Sequence, residues 1–529
     1  MFRILKCTKD TYLQNKIVAG ARTENANVGK AGTLDLFKLY DETYLSGTTA
    51  PVELSRTLLK FDLDPIRALT GSVLSLNHSS FKCFLSMKDI YGGQSVPSNY
   101  TLSLYPLAKT FDEGRGSDVV AYRDQDSSNW ITSSITSGVV TTWSVTGAYS
   151  SGSLTDSGID YYVSGVLNPA VGTSSLGVSQ SFTTGDEDLL IDVTTLVSGV
   201  VAGIIPDNGF RLSFISSEET DGYTRFVKRF SSRHVRDQFR HPRINVHYDD
   251  SISDLTLAAY LDKTNTVFVY NRVFGTYQNF LSGGTSITSS NSLMLTLVAS
   301  RSISTTTTSW STSHSASITY TTSSWSYFSS SFTGSQLSLG GNSQTGIYSA
   351  SFFISSSDSY LGSYLGQRTS LDVLPLWQSL DKTLTYTSAS TFTIKKIQGS
   401  GRNVVERNFV TNVTNLKQYY TTDEVARLRL FVQDYNTELK AYKLPIELVS
   451  EIYDTVHWRL LLAFTREVIV DFDTTHNSTK LSSDAGGMYF DLYMADLVEN
   501  QVYELEFLVR ENSRDYLIVN QGFRFKVIP

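Results

Sequence analysis

A stretch of the chain rich in Ser and Thr carries the alternation of a β-strand. Between residues 301 and 333 about two-thirds of the residues are Ser or Thr, a composition typical of linkers and low-complexity segments. Within it, Ser or Thr alternates with a second series of residues at every other position: Trp310, Thr312, His314, Ala316, Ile318 and Tyr320. Successive side chains of a strand point to opposite faces, so this period of two predicts a strand with one packed face. We therefore expect β-structure even where the composition suggests disorder.

Composition extends this expectation to the whole chain. Its 529 residues suggest about three or four domains. The 30 Tyr and 28 Phe favour strands, because flat rings pack well on a pleated sheet. Helical periodicity is scarce, and short alternating runs are separated by Gly, Asn, Asp and Ser. The predicted fold class is all-β and multidomain, with an N-terminal jelly-roll-like sandwich followed by two or three Ig-like β-sandwich domains.

Charge, cysteine content and hydropathy restrict the function classes. The net charge of −7 gives no electrostatic reason to bind nucleic acid. The two cysteines, Cys7 and Cys83, are too few for a disulfide scaffold, and we predict buried free thiols, with a single bridge as the alternative. The N-terminus has no apolar core of signal-peptide length, and no window approaches the ~20 apolar residues of a membrane span. Synthesis in a cytoplasm is expected.

Composition shifts predict the domain boundaries. An apolar strand ends near Tyr248 in a short acidic linker, and a polar stretch containing Gly occupies 399–403. A softer break is expected near residue 444. The predicted domains are 1–249, with a Ser/Thr-rich insertion at 126–185, then 250–398 and 399–529.

Two segments are candidate helices. Residues 423–428 follow Thr422, which would serve as an N-cap. Residues 192–201 form the second candidate, and the segment from Ile191 is alternatively a strand that runs into one turn of helix.

A set of short segments in the N-terminal part occurs in a recognisable order. They are Asp10-Thr-Tyr-Leu, Gly32-Thr-Leu-Asp-Leu, Ser55-Arg-Thr-Leu-Leu-Lys-Phe-Asp-Leu, Leu189-Leu-Ile-Asp-Val, Asn208-Gly-Phe-Arg-Leu-Ser-Phe, Phe230-Ser-Ser-Arg and His241-Pro-Arg-Ile-Asn-Val-His-Tyr. With these segments the first 249 residues resemble the DNRLRE type of β-sandwich, found in surface and carbohydrate-associated proteins. The resemblance implies a jelly-roll-like scaffold and fixes no ligand.

The Arg-centred strand also has a physical interpretation. One face is predicted to build the sandwich core, with Lys60 and Asp62 outside. That face comprises Thr57, Leu59, Phe61 and Leu63. Arg56 is expected to lie under the sheet rim and to pair with a carboxylate, in a structural role.

The C-terminal part contains a long motif at residues 468–494. An apolar strand ends in Phe-Asp, and an Asn-Ser-Thr loop, an Asp-x-x-Gly turn and Tyr-Phe-Asp-x-x-Met follow. With Gly346-Ile-Tyr and Leu376-Trp-Gln-Ser-Leu-Asp upstream, residues 250–529 resemble structural proteins of tailed bacteriophages, particularly T4-like contractile-tailed phages of cyanobacteria and other marine bacteria. The resemblance implies a virion component of the tail, baseplate or neck in three-, six- or twelvefold copies, and no catalytic residues.

The chemistry of this motif is that of a turn between strands. Asp484 offers a side-chain acceptor to its own backbone, and two following Gly tolerate positive φ. Further along, Tyr503, Leu505, Phe507 and Val509 share a face opposite Glu504 and Glu506, as in an edge or middle strand of an Ig-like sandwich.

The candidate partner-binding residues are basic and aromatic. They are Arg225, Arg229, Arg233, Arg236, Trp310 and Trp325. The basic run from 225 to 243 is interleaved with phenylalanines, so an acidic protein partner is one interpretation and a solvated face with core aromatics is the other. Trp130, Trp143, Trp310 and Trp325 lie among Ser and Thr, where they would either stack on sugar rings or pack in cores and subunit contacts.

Metal and cofactor sites have weaker support. His234, His241 and His247 lie close in sequence, but we expect solvent-facing side chains near arginines rather than ligands. Acidic groups that would ligate a structural Ca²⁺ are Asp112-Glu113, Asp124, Gly185-Asp-Glu-Asp and Glu218-Glu219. No cofactor and no catalytic residue is predicted, because no nucleophile elbow, phosphate loop or dinucleotide fingerprint occurs.

We therefore expect a non-enzymatic structural protein of a bacteriophage virion, made in the bacterial host cytoplasm. Its predicted partners are other virion proteins and copies of itself, with no nucleic acid and no membrane span. The alternatives are a fibre or capsid decoration protein that binds host glycans and, behind it, a glycan depolymerase, which would need two carboxylates about 5–10 Å apart in a cleft.

Overall fold

The computed structural model confirms an all-β fold. It describes residues 1–90, 95–117, 127–302, 325–357, 370–396, 408–434, 450–511, 514–519 and 521–529. Strands dominate this part of the chain, which contains three short α-helices and the 3-10 turns Gln238–Arg240 and Met494–Asp496. No helix among the described residues is long and apolar enough to cross a membrane.

The chain divides into two compact units. The first unit comprises residues 2–70 and 81–247, and the second comprises Met1, 71–80 and 248–529. The predicted linker near Tyr248 coincides with the start of the main part of the second unit. The predicted breaks at 399–403 and near 444 lie outside the described residues.

The described residues of the first unit form seventeen strands and the three α-helices. The strands are β1 Phe2–Gln14, β2 Ile17–Val18, β3 Ala21–Arg22, β4 Thr33–Tyr40, β5 Val52–Phe61, β6 Lys82–Met87, β7 Tyr100–Pro106, β8 Thr132–Thr136, β9 Val139–Thr142, β10 Ser151–Ser153, β11 Tyr161–Asn168, β12 Gly172–Ser175, β13 Val178–Phe182, β14 Leu189–Asp192, β15 Phe210–Phe214, β16 Arg225–Ser231 and β17 Arg243–His247. The helices are α1 Asp64–Arg67, α2 Thr194–Val201 and α3 Ser216–Thr220.

Strand β1 belongs to two parts of the main sheet. Its first residues pair antiparallel with β17, the last strand of the unit, and after an irregularity between Cys7 and Lys9 it pairs antiparallel with β5. The sheet follows the order β13-β7-β15-β5-β1-β17-β6-β14, with β4 beside β5 and β16 beside β4. Sequential neighbours are therefore rarely hydrogen-bonded, as expected for a jelly-roll-like arrangement.

The core of this unit lies on both faces of β5. Leu59 and Phe61 are buried as predicted, but Leu58 on the opposite face is buried as well. Leu58 packs with Phe111, Trp130 and Trp143 in a separate apolar cluster. The predicted core face of Thr57, Leu59, Phe61 and Leu63 is confirmed, with Asp62 exposed and Lys60 half buried. Residues from the segment after β7 also cover the opposite face at Leu58, which the sequence did not predict.

The two cysteines of this unit are free and buried, as predicted. Burial raises the pKa of the Cys7 thiol and of the Cys83 thiol well above the ordinary value, and neighbouring carboxylates, Asp10 and Asp192 respectively, raise it further.

The helix candidates had opposite outcomes. Strand β14 runs into helix α2, which confirms the interpretation of 191–201 as a strand followed by helix. The helix predicted over 423–428 was wrong, because β32 begins at Val425. In that strand Ala426, Leu428 and Leu430 are buried, and the residues between them are more exposed. This period of two is the pattern of a strand with one buried face, and it determines the conformation in spite of the N-cap signal at Thr422.

The second unit contains the remaining strands. They are β18 Ala259–Tyr260, β19 Asn265–Tyr270, β20 Arg272–Val273, β21 Thr276–Tyr277, β22 Leu281–Ser282, β23 Thr285–Ser286, β24 Leu293–Ser302, β25 Trp325–Leu339, β26 Asn342–Phe352, β27 Ser370–Gln378, β28 Thr385–Ser388, β29 Phe392–Lys395, β30 Phe409–Val413, β31 Tyr419–Thr421, β32 Val425–Asp434, β33 Thr455–Leu462, β34 Val468–Val470, β35 Ser482–Asp484, β36 Gly487–Tyr493, β37 Val502–Glu511, β38 Arg514–Ile518 and β39 Arg524–Ile528.

Eight of the strands from β18 to β29 build one sheet, and β20–β23 form two separate hairpins. The order of the sheet is β18-β29-β27-β24-β25-β26-β19, with β28 beside β27. Trp377, Tyr348 and Phe352 are buried in its core. Strands β24 and β25 pair antiparallel up to Ser302 and Trp325. The alternating positions from Trp310 to Tyr320 lie outside the described residues, so that strand stays a prediction.

Strands β30 to β39 form a sandwich of two sheets. One sheet has the order β30-β32-β36-β35, and the other has the order β31-β39-β37-β33-β34 with β38 beside β37. Rings from the two sheets meet in the core: Trp458 stacks on Phe490 at 5.1 Å between centroids, and Phe490 meets Phe507 edge-on at 6.1 Å. Face-to-face antiparallel sheets of this kind agree with the predicted Ig-like class.

The predicted turn at Asp484 is present. Its Oδ1 accepts a 2.7 Å hydrogen bond from the backbone N–H of Gly486, and Gly487 has a φ of 105° that favours glycine. The turn joins β35 to β36. Strand β37 is a middle strand, and its Glu504 and Glu506 are buried beside Arg459, Arg466 and Arg524.

Candidate functional site

The predicted basic run lies on β16 and the turn after it, where carboxylates of the same unit meet most of its charges. Arg225 donates two hydrogen bonds, of 3.0 and 2.8 Å, to Asp221. Arg229 pairs with Asp35 at 3.3 Å. Lys228, which is fully buried, contacts Asp89 at 2.5 Å.

The arginines of this run that were proposed to bind a partner therefore differ in availability. Arg225, Arg229 and Arg233 are held by acidic residues of their own unit, whereas Arg236 is exposed. Phe230 is buried in the core, as the solvated-face interpretation expects, and Phe226 is half exposed. Binding of an acidic partner stays a prediction, and fewer unpaired positive charges are available for it than the sequence suggests.

The candidate tryptophans also separate. Trp130 and Trp143 are buried in the apolar cluster with Leu58, which favours core packing over sugar stacking for these two. Trp325 opens β25 with its backbone paired to Ser302. Trp310 lies outside the part of the chain that the structure describes.

Arg233 and His234, in the turn after β16, contact two carboxylates that are distant in sequence. Arg233 donates hydrogen bonds from Nε and one terminal nitrogen to the two carboxylate oxygens of Glu113. His234 Nε2 lies 3.1 Å from Glu113 Oε1. Asp10 on β1 accepts the backbone N–H of Arg233 at 2.6 Å through Oδ2, and its own N–H donates to Glu113 at 3.1 Å. We call Asp10, Glu113, Arg233 and His234 the acidic cluster.

Burial sets the protonation of this cluster. Burial, reinforced by the negative charge of Glu113, raises the pKa of Asp10 to about 7. Burial alone would also raise the pKa of Glu113, but hydrogen bonds from Arg233 and Asp10 outweigh it and hold that pKa below its ordinary value. Burial lowers the pKa of His234 and outweighs the opposite effect of its contact with Glu113.

A tight loop packing holds Glu113 in place. Asn27 is buried, and its side-chain N–H group donates to the carbonyl of Glu113 at 2.9 Å. Its Oδ1 accepts N–H groups of Gly29 and Gly116 at 3.1 and 2.9 Å. A Cβ at Gly116 would lie 1.6 Å from the carbonyl oxygen of Asn27, so only glycine allows this approach.

The three predicted histidines do not form a site together. His241 hydrogen-bonds the carbonyl of Val235 at 2.7 Å, and His247 meets the ring of Phe2 edge-on at 4.9 Å. His234 instead joins the acidic cluster. No sequence pattern indicates this grouping, because the sheet brings together Asp10, Glu113 and His234 from distant positions.

The acidic pairs considered for Ca²⁺ are largely used by protein donors. Glu187 accepts backbone N–H groups of Thr183, Thr184 and Gly185. Glu218 accepts the N–H of Thr101. Asp112 accepts the N–H of Ile135 at 2.7 Å, Asp188 pairs with Lys88, and Glu219 binds Arg56. Asp124 is outside the described residues.

Arg56 has the structural role that was predicted for it. Its guanidinium forms two 2.8 Å hydrogen bonds with Glu219 and lies 5.0 Å from the ring centres of Trp130 and Tyr149. A second buried arginine, Arg211, lies 3.6 Å from the same carboxylate. Burial and repulsion from Arg56 lower the pKa of Arg211 to about 10.

The second unit presents two exposed hairpins. Strands β20 and β21 are joined by Phe274 and Gly275, whose φ angles of 50° and 85° are both left-handed, and β22 and β23 form the second hairpin. The side chain of Phe274 is fully exposed, and those of Tyr277 and Leu281 are also exposed. We call Phe274, Tyr277 and Leu281 the hairpin surface.

The base of the hairpins is anchored in the core. Phe280, between the two hairpins, is buried and stacks on Tyr348 and Tyr386 at 5.0 Å from each. Ile287, just after the second hairpin, is buried too. The hairpin surface therefore extends from a base that is anchored in the core of the second unit.

Comparisons with known proteins show no family. No family model matches the chain, and no curated protein matches it. Among solved structures, fibronectin(III)-like modules of Clostridium thermocellum CbhA align at 8% identity and a TM-score of 0.13 over 53% of this chain and 92% of that one. A Salmonella alpha-2-macroglobulin reacted with methylamine aligns at 9% identity and a TM-score of 0.13 over 100% of this chain and 45% of that one. Similarities this low carry no argument about function.

Proposed function

We propose that the chain is a structural component of a bacteriophage virion, in the tail, baseplate or neck, that acts through contacts with copies of itself and with other virion proteins. The observation that carries the proposal is the hairpin surface. Phe274 combines full exposure with a left-handed backbone, which is an unusual conformation for a bulky residue. Exposure of the ring is unfavourable in an isolated chain and becomes favourable when a partner covers it, which offsets the cost of the left-handed backbone.

The charge distribution supports protein contacts over nucleic acid contacts. Most cations of the basic run are paired inside their unit, so little free positive charge is offered by β16. Apolar side chains at the centre of a polar surface are typical anchors of protein interfaces. The resemblance of residues 250–529 to structural proteins of tailed bacteriophages supports the choice of a virion. The proposal assigns no catalytic step to the chain.

A cryo-electron microscopy reconstruction of the native particle tests this function. We expect symmetric copies in which a neighbouring subunit covers the hairpin surface. The purified full chain offers a second readout, its oligomeric mass by sedimentation, with Phe274→Ser expected to weaken association at least tenfold. Phe464→Ser is the matched control, because Phe464 is also strongly exposed but lies outside the hairpins. A particle without the chain would overturn the virion role.

A second candidate, host-glycan binding, has its own observation in the first unit. Tyr44 and Tyr223 are strongly exposed. Their loops are joined through Thr224, whose hydroxyl lies 2.7 Å from Glu42 and which also hydrogen-bonds the backbone of Tyr40. Exposed rings next to carboxylates and hydroxyls suit stacking and hydrogen bonding to a sugar. Glycan-array binding that is lost in Tyr44→Ser and Tyr223→Ser would favour this candidate; array signals unchanged in both variants would exclude these loops.

A further inference from the structure

We propose that the acidic cluster of the first unit is a binding site for a divalent transition-metal ion of the Zn²⁺ class, with Asp10, Glu113 and His234 as ligands. One ligand atom from each of the three residues lies within 4.8 Å of the others. A tetrahedral zinc ion at about 2.0–2.1 Å from its ligands places them about 3.4 Å apart. The 3.1 Å between His234 Nε2 and Glu113 Oε1 is already close to this spacing.

The state of Asp10 is an independent observation that points to a ligand. Its residue is only 1% exposed, and Oδ1 has no hydrogen-bond partner among the described residues. Only Oδ2 is used, by the N–H of Arg233. A buried carboxylate oxygen without a partner is costly, and a cation at the cluster would satisfy it.

The two carboxylates bring negative charge to the cluster, and the guanidinium of Arg233 and the nearby exposed Lys30 oppose it. Arg233 binds Glu113 through both oxygens, and its bond to Oε2 can persist when Oε1 turns to an ion. In that position Arg233 orients the ligand from outside the coordination shell, as hydrogen-bond partners of metal ligands commonly do.

The donor set selects the class of ion. An imidazole nitrogen with two carboxylates suits Zn²⁺ and its neighbours in the first transition row, whereas Ca²⁺ prefers six to eight oxygen ligands. The neutral imidazole of His234 has a lone pair at Nε2 once its proton moves to Nδ1. The Ca²⁺ considered from the acidic pairs of the sequence is therefore not the expected occupant here.

Titration calorimetry of the full chain, stripped with a chelator and titrated with ZnCl₂ and separately with CaCl₂, tests the site. We expect one Zn²⁺ per chain with a Kd of about 10 μM or tighter, and weaker Ca²⁺ binding. His234→Gln is expected to weaken Zn²⁺ binding by about 10–100-fold and to keep the fold, because this side chain is partly exposed. His78→Gln, an exposed histidine outside the cluster, is the control and should bind like the wild type.

Asp10→Asn supplies the second variant, because asparagine keeps the acceptor for the Arg233 N–H while it removes the charge. Thermal unfolding with and without Zn²⁺ checks that both variants are folded and that the metal stabilises only the wild type and the control. Two results would overturn the site: no Zn²⁺ uptake at 1 mM metal, or equal uptake by the wild type and both cluster variants. Ca²⁺ binding that needs Asp10 but not His234 would likewise overturn the proposed ligand set.

Discussion

Arg56 and Glu219 are joined by two parallel hydrogen bonds of 2.8 Å in the interior of the first unit, although 163 residues separate them in sequence. Arg211 lies 3.6 Å from the same carboxylate, so one buried anion serves two buried cations. Removal of the anion leaves both cations without compensation, whereas removal of Arg56 leaves a balanced pair.

This asymmetry predicts unequal costs for two changes that each remove one charge. Glu219→Gln should destabilise the protein by about 3–5 kcal/mol, because two buried guanidinium groups lose their counter-charge. Arg56→Gln should cost less, because Glu219 can still pair with Arg211. Urea unfolding of the two variants at pH 7 measures the difference. Equal costs, or a larger cost for Arg56→Gln, would contradict the shared-anion arrangement.

The loop packing behind the acidic cluster gives a second prediction. Gly116→Ala should destabilise the first unit by about 2 kcal/mol or more, because its Cβ would lie 1.6 Å from the Asn27 carbonyl oxygen. Gly71→Ala is the control, because its Cβ would meet nothing within 4 Å. Thermal unfolding should show a lowered Tm for the first variant only. A wild-type Tm for Gly116→Ala would mean that the two loops do not interlock.

Asp254 in the second unit predicts a pH dependence. Burial raises its pKa to about 6, so the folded state holds a proton that the unfolded chain releases near pH 4. Stability from this group is therefore greatest below pH 4 and falls as the pH rises through 6, by on the order of 3 kcal/mol.

Asp254→Asn isolates this contribution, because the amide oxygen can still accept the N–H and hydroxyl of Thr256. The stability of this variant minus that of the wild type should increase between pH 4 and pH 7. Urea unfolding at several pH values measures it. Subtraction of the wild-type stability also cancels the contribution of His457, which has the opposite pH dependence. Burial lowers the pKa of His457 to about 4, so this group costs stability as the pH falls below the ordinary pKa of histidine. A difference that is flat with pH would contradict the raised pKa of Asp254.

Phe274 predicts a trade-off between folding and association. Phe274→Asn should stabilise the isolated chain by about 0.5–1 kcal/mol, because asparagine tolerates the left-handed turn and exposes less apolar surface. The same change should weaken self-association in sedimentation experiments. A variant that is more stable and associates as well as the wild type would remove Phe274 from the interface.

Local signals made part of this structure predictable. Alternating residues, turn residues and the small number of cysteines were enough for the all-β class, the Asp484 turn and the buried thiols. The helix expected at 423–428 shows the limit of a capping signal, since sheet pairing of β32 with β36 decides the conformation. The burial of Leu58 could not be predicted either, because the residues that cover its side chain lie up to ninety positions away in sequence.

The acidic cluster could not be predicted from the sequence, because the topology of the fold creates it. Asp10, Glu113 and His234 occupy a strand, a loop and a turn that no spacing rule connects. Only the sheet order, which brings β1, the segment after β7 and the segment after β16 together, creates the site. The pairing of the neighbouring arginines could not be predicted for the same reason, because their carboxylate partners Asp35 and Glu113 are also far away in sequence.

The placement of β1 has a consequence for synthesis on the ribosome. Its residues 2–6 pair with β17, which is the final strand of the first unit and ends at His247. At translation rates of about 5–20 residues per second, the opening strand must wait roughly 10–50 seconds for that partner to emerge. During this time Ile4 and Leu5, which are both buried in the folded unit, lack the neighbouring strand β17. Nascent chains of this protein should therefore be clients of ribosome-associated chaperones until the closing strand has left the exit tunnel.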